Sequence, residues 1–139
     1  MIGRKQFIEW FTTTLREAAW APLGVFGFYL IGLAFGLYKA YPPLDIPTHF
    51  MGGLSITHFF CSAIRKSQVY LGGIPSLIQI LFAFTCTGTM IIVWEFYENA
   101  FDFLFGTTMV RGLQDTITDM FVGLLGALMW SVFHSMKRN

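Results

Sequence analysis

Residues 94–119 read WEFYENAFDFLFGTTMVRGLQDTITD, and the reading of this stretch decides the fold. It begins where an uncharged run, Ile74 to Trp94, comes to an end, and it closes as a second apolar run opens toward Met136. Glu95, Glu98 and Asp102 recur at intervals of three, four and seven, which places them on one face of a helix. Gly106 and Gly112 bound a turn, after which Asp115 and Asp119 stand one helical turn apart. Two helices therefore meet with their acids at the same end.

The surrounding chain sets the class. With 55% hydrophobic, 18% aromatic and only 12% charged residues, and a mean hydropathy of +0.59, it departs from the mixture of a water-soluble domain. Apolar runs of about 20 residues match the hydrocarbon thickness of a bilayer at the rise of a helix. The expectation is an all-α, integral membrane bundle of four transmembrane helices with an N-terminal amphipathic helix, one domain over residues 1–139. Cys61 and Cys86 lie inside apolar runs and are read as packing residues, since a disulfide framework or zinc ribbon needs clustered or loop-borne cysteines. The charged and polar residues of Met1 to Trp10 do not have the form of a cleavable signal peptide.

Outward from the acids, an interfacial helix is expected over 1–16, where residues 3–16 carry a helical period with Phe7, Ile8, Phe11 and Leu15 on one side and Lys5, Glu9, Thr12, Thr13 and Arg16 on the other. That pattern suits a helix lying in the membrane interface or a plain cytosolic lead-in. The first span is expected over 18–38, without charge and read as scaffolding at the periphery. Pro42 and Pro43 break the chain. Asp45 is then read as the N-cap of a second span, 46–64, with Pro47 in its first turn and Arg65 and Lys66 at its end. On that helix Thr48, Gly52 and Ser55 form a small-residue strip suited to close helix approach. The third span is expected over 74–105 and the fourth over 113–136, the latter with Gly123 and Gly126 below its acids.

Basic residues orient the spans. Arg4, Lys5, Arg16, Arg65, Lys66, Lys137 and Arg138 fall on one side, against Lys39 and Arg111 on the other. Both termini are thus expected in the cytoplasm of a prokaryotic cell, with the protein in its inner membrane. Asp45, Glu95, Glu98, Asp102, Asp115 and Asp119 all gather at the outward ends of helices. Two carboxylates about 5 Å apart repel by roughly 3 kcal/mol at an effective dielectric near 20, so a cation, shared protons, a basic partner or water must compensate them. Asp119 and His49, each about one turn below a helix mouth, carry the most weight.

The metal-ligating set read from this pattern is Asp45, His49, Glu95, Glu98, Asp115 and Asp119, with a divalent metal ion of undetermined identity as the cofactor. Carboxylates from two helices and an imidazole from a third suit zinc, iron or manganese, and oxygen ligands alone suit calcium or magnesium. The bland reading of the same residues is helix capping and an Asp119–His49 packing pair. His58 and His134, without acids nearby in sequence, are given no part in the site, His58 being read as hydrogen-bonded inside the bundle and His134 as lying near the cytosolic interface. No phosphate-cradling glycine loop and no Gly-x-Ser-x-Gly elbow is present. The spacing of Asp115 and Asp119 lacks the preceding Asp-Gly-x-x-Ala-Arg pattern of lipid-alcohol phosphotransferases.

DIPTHFMGG, WEFYE and FGTTMVRGLQDTITDMFVGLLGAL, in that order over residues 43–128, resemble small membrane proteins of the VanZ-like and YjdF-like families. The matching positions are Asp45, His49, Trp94, Glu95, Glu98, Asp115, Thr116 and Asp119. The resemblance implies a cell-envelope role, since one branch is associated with glycopeptide-antibiotic tolerance, although this chain lacks that branch's Glu-x-x-Gln segment. Three functions follow as expectations: a metal or proton site acting on an envelope lipid or its headgroup, a cation-binding or transport module, and an accessory subunit of a larger membrane complex. Membrane lipids are the expected partners, and nucleic acid is not. The 25 aromatic residues favour the accessory role or lipid contact, and no inverted repeat of the transporter kind is visible.

Overall fold

A computed structural model describes residues 3–136, and among them every regular element is helical. Lys137 and Arg138, two of the charges used for orientation, lie outside the described residues. The elements are α1 (Arg4–Ala18), α2 (Trp20–Ala34), α3 (Leu37–Ala40), α4 (Asp45–Leu71), α5 (Ser76–Phe105) and α6 (Leu113–Met136), with a 3-10 turn at Pro42–Leu44 before α4.

The first apolar run is not one straight rod over 18–38. It breaks at Ala19, where α1 and α2 meet at 55°, and the cause is Pro22. A proline has no amide to bond the carbonyl four residues back, and its ring crowds that carbonyl, so the helix restarts with Pro22 in the first turn of α2. The run breaks again at Gly36, whose φ of 66° is the left-handed conformation that glycine adopts without penalty. The short α3 then folds back. A Cβ on Gly32 would lie 2.5 Å from the Tyr38 ring, so Gly32 is the seat on which that ring rests.

α5 and α6 are long and apolar enough to cross a membrane, and α1 with α2 makes a third crossing if the bent pair is one span. α4 runs 27 residues, past Arg65 and Lys66 to Leu71, rather than stopping near Ile64. It is more polar than the other two because its polar residues face protein: Thr48, His49, Ser55, Thr57 and Ser62 are all buried. α4 is the central element. It packs on α6 most extensively and also touches α5, α2 and α1. Lys66 ties its lower half to α1 through Glu17 at 2.6 Å, and Thr57 shares a buried hydroxyl–hydroxyl bond of 2.9 Å with Thr87 of α5.

Close approach of α4 and α6 depends on glycine, though not through the expected strip. A Cβ on Gly53 would stand 1.9 Å from the Gly123 carbonyl oxygen, and one on Gly126 would stand 2.1 Å from that of Phe50. Gly52 instead faces open space and, with Thr48 and Ser55, lines a cleft. The one-residue difference is a rotation of about 100° around the helix. His58 also departs from expectation, since its ring lies between Trp130 at 4.9 Å and Trp20 at 6.0 Å while its Nε2 has no hydrogen-bond partner.

Candidate functional site

α4, α5 and α6 bring their polar residues together one turn above the glycine contact. His49 precedes Gly53 by four residues and Asp119 precedes Gly123 by four, so the helix crossing that the glycines permit sets the distance between the imidazole and the carboxylate. Nε2 of His49 lies 3.9 Å from Asp119 and 3.4 Å from Asp45, and Nδ1 lies 3.8 Å from Glu95. The imidazole thus has carboxylates on both sides. Two groups of ligand atoms form around it, Asp45–His49–Asp119 and His49–Glu95–Glu98, each with its atoms within 4.8 Å of one another.

These groups differ in how well they are satisfied. Glu95, Glu98 and Asp119 are only 6%, 5% and 4% exposed. Oε1 of Glu95, the oxygen facing Nδ1, is buried without a hydrogen-bond partner. An unpaired buried carboxylate oxygen is costly and calls for compensation. On the other side Asp45 already has a partner, since Nη2 of Arg111 meets its Oδ2 at 2.6 Å and also approaches Asp115 at 3.2 Å.

Asp45 is not a helix cap. Leu44 occupies that position after the 3-10 turn, so Asp45 is the first helical residue and its carboxylate is free to meet Arg111. Asp115 has a structural task instead. It accepts the Arg111 backbone amide at 3.0 Å, closing the start of α6 as an acid in the first turn can, and none of the ligand groups around His49 contains it. Partial burial strips some water from the Arg111 guanidinium, yet Asp115 and Asp45 together hold its pKa above the ordinary value.

Asp102 is a loop tie. Its oxygens accept the amides of Met109 and Val110, each at 2.8 Å, and the Thr107 hydroxyl. This holds the segment between Gly106 and Gly112 against the end of α5, and with it the position of Arg111.

The first apolar run is not peripheral either. Tyr38 bonds Thr48, the neighbour of His49, at 3.0 Å, and Tyr29 meets Trp94 edge-on at 4.8 Å. Tyr29 lines two cavities. One is a cleft of about 90 Å³ between α2, α4 and α5 that reaches His49 past Phe26, Ile56 and Met90. The other, of about 620 Å³, has Asp45 and Glu98 in its wall with Lys39, Arg111, Phe101 and Met109. Tyr29 and Tyr38 were not singled out in the sequence, and the only signal there was a pair of phenols in an otherwise greasy run.

No curated protein and no solved structure matches this chain. One family model does, over residues 8–139, and its description is a predicted membrane protein, DUF2238. The match takes in α2 to α6 and most of α1, with every residue of the polar cluster. The chain belongs to the DUF2238 family of predicted membrane proteins.

Proposed function

We propose that this is a four-span membrane protein whose outward carboxylate/His cluster binds a divalent cation. The observation that carries the reading is the unpaired, buried Oε1 of Glu95 facing Nδ1 of His49 at 3.8 Å, with Glu98 alongside. Metal–ligand distances of about 2.0–2.2 Å put neighbouring ligand atoms roughly 3–4 Å apart, and this separation falls within that range. The neutral imidazole gives its Nδ1 lone pair to the ion, and its Nε2 side lies 3.4 Å from Asp45 and 3.9 Å from Asp119, near enough for a carboxylate to orient a metal-bound histidine. Asp115 acts indirectly, by holding Arg111 against Asp45. Three protein ligands leave coordination positions open for water or substrate, on the side of the cavity that Glu98 lines.

Four spans follow if α1 lies in the interface, α2 crosses with α3 as its outer end, and α4 crosses as the polar centre of the bundle. The charge bias then puts both termini in the cytoplasm and the cluster outside, in a prokaryotic inner membrane. The finer likeness to VanZ-like and YjdF-like proteins, carried by the same positions, supports an envelope setting and an envelope lipid or headgroup as the molecule acted on. A second reading, an accessory subunit of a larger membrane complex, is favoured by Phe103, Leu104 and Phe105, which stand exposed together at the end of α5.

Elemental analysis of the purified protein tests the cation. Wild type is expected to retain a metal ion that His49→Ala and Glu95→Gln both lose, with Asp119→Asn weakened by about 10–100-fold as an orienting partner. A wild-type content no higher than that of His49→Ala would leave only a packing cluster.

A further inference from the structure

The two cavities beside the cluster differ in character, and Tyr29 lines both. The smaller is mostly apolar, walled by Val25, Phe26, Ile56 and Met90 between α2, α4 and α5, with Thr48, His49 and Ser55 on its α4 side; its 90 Å³ is roughly the room of three water molecules, enough for a short length of hydrocarbon. The larger, at about 620 Å³, falls in the range of small-molecule sites. It has cations on its wall. Arg111 is half committed to Asp45 and Asp115, whereas Lys39 is exposed and, among the described residues, has no acidic side chain within ion-pair distance. Thr108 adds a hydroxyl to the same wall.

From this arrangement we infer that the larger cavity takes the phosphate-bearing headgroup of an anionic membrane lipid, with hydrocarbon in the apolar cleft. The headgroup meets Lys39 and Arg111 on the wall. Asp45 and Glu98 on the same wall would repel it unless a cation lies between, so the inference rests on the cation reading above. Apolar and charged walls meeting at one aromatic side chain suit an amphiphile better than a free anion. A bilayer supplies such molecules, and a basic side chain attracts an anionic headgroup.

The test uses the full chain in a neutral detergent, with metal content measured on every sample and binding followed by calorimetry. The probes are dihexanoyl-phosphatidylglycerol, dihexanoyl-phosphatidylcholine and glycerol 3-phosphate. Metal-loaded wild type is expected to bind phosphatidylglycerol roughly tenfold more tightly than phosphatidylcholine, and Lys39→Gln to weaken phosphatidylglycerol by about fivefold while its metal content stays that of wild type. Glycerol 3-phosphate, lacking chains, is expected to bind least. Equal binding of the two lipids by metal-loaded protein would overturn the inference and leave the cation reading intact. Metal absent from wild type, with no preference between lipids, would overturn both. Glycerol 3-phosphate binding as tightly as phosphatidylglycerol would overturn the lipid as the source of the phosphate, and an unchanged affinity in Lys39→Gln would remove the headgroup from this wall.

Discussion

Replacing Gly53 by alanine sets a methyl group 1.9 Å from the Gly123 carbonyl oxygen, a distance that no real Cβ tolerates. Ordinary contact begins at 3.4 Å, so α4 and α6 must part or slide by about 1.5 Å, and the obstacle is backbone that cannot swing aside as a side chain could. Overpacking of this kind costs about 1–3 kcal/mol. The displaced contact lies one turn below His49 and Asp119, already 3.9 Å apart, so the cluster opens with the helices. The expected outcome is a lower midpoint in SDS-induced unfolding from mixed micelles, together with loss of bound metal. Gly52→Ala is the matched control, since nothing lies within 4 Å of its added methyl, and helix propensity alone favours alanine there by up to about 1 kcal/mol. If Gly53→Ala unfolded at the wild-type midpoint and kept wild-type metal, the glycine crossing would not be what sets the cluster's geometry. If Gly52→Ala fell as far as Gly53→Ala, the steric argument would fail for the opposite reason.

Asp102→Ala removes the acceptor for the Met109 and Val110 amides, and hydrogen exchange at those two amides should accelerate while the interior of α6 stays protected; equal exchange in variant and wild type would mean that the loop holds without the tie. Thr57→Val leaves the Thr87 hydroxyl without its interhelical partner and is expected to lower stability by about 0.5–1 kcal/mol, read in the same micellar titration, with no change in metal content. In a cysteine-free background, Pro42→Cys and Thr108→Cys should react with an impermeant maleimide on intact cells and Gln68→Cys only after permeabilisation; the reverse pattern would invert the orientation of the cluster.

Spacing made part of the site legible. Acids at three, four and seven residues along one helix, and at four along the next, must share faces whatever surrounds them, and α5 and α6 begin and end within two residues of where the apolar runs and glycines put them. What spacing does not carry is the partner on the other side of each acid. Asp45, Asp102 and Asp115 are equally acidic in the sequence. Their tasks diverge because one faces a guanidinium 66 residues away, one faces the amides of its own loop, and one faces the start of its own helix.

The break in the first run is legible in the sequence as a proline. Pro22 sits in an apolar stretch whose hydropathy argues for a single span, but hydropathy measures transfer into lipid and is blind to a missing amide. The consequence reaches the site. Because the chain restarts at Trp20 and turns again at Gly36, the second half of the run leans over α4, and Tyr29 and Tyr38 close above Trp94 and Thr48. A straight helix would set its two phenols, nine residues apart, on opposite sides, so that both could not close over α4 and α5 together. The polar centre of α4 can cross an apolar environment only when covered, since each buried hydroxyl or imidazole left facing hydrocarbon costs on the order of a hydrogen bond or more. The kinked first run supplies that cover on one side, and the glycine crossing with α6 supplies it on the other.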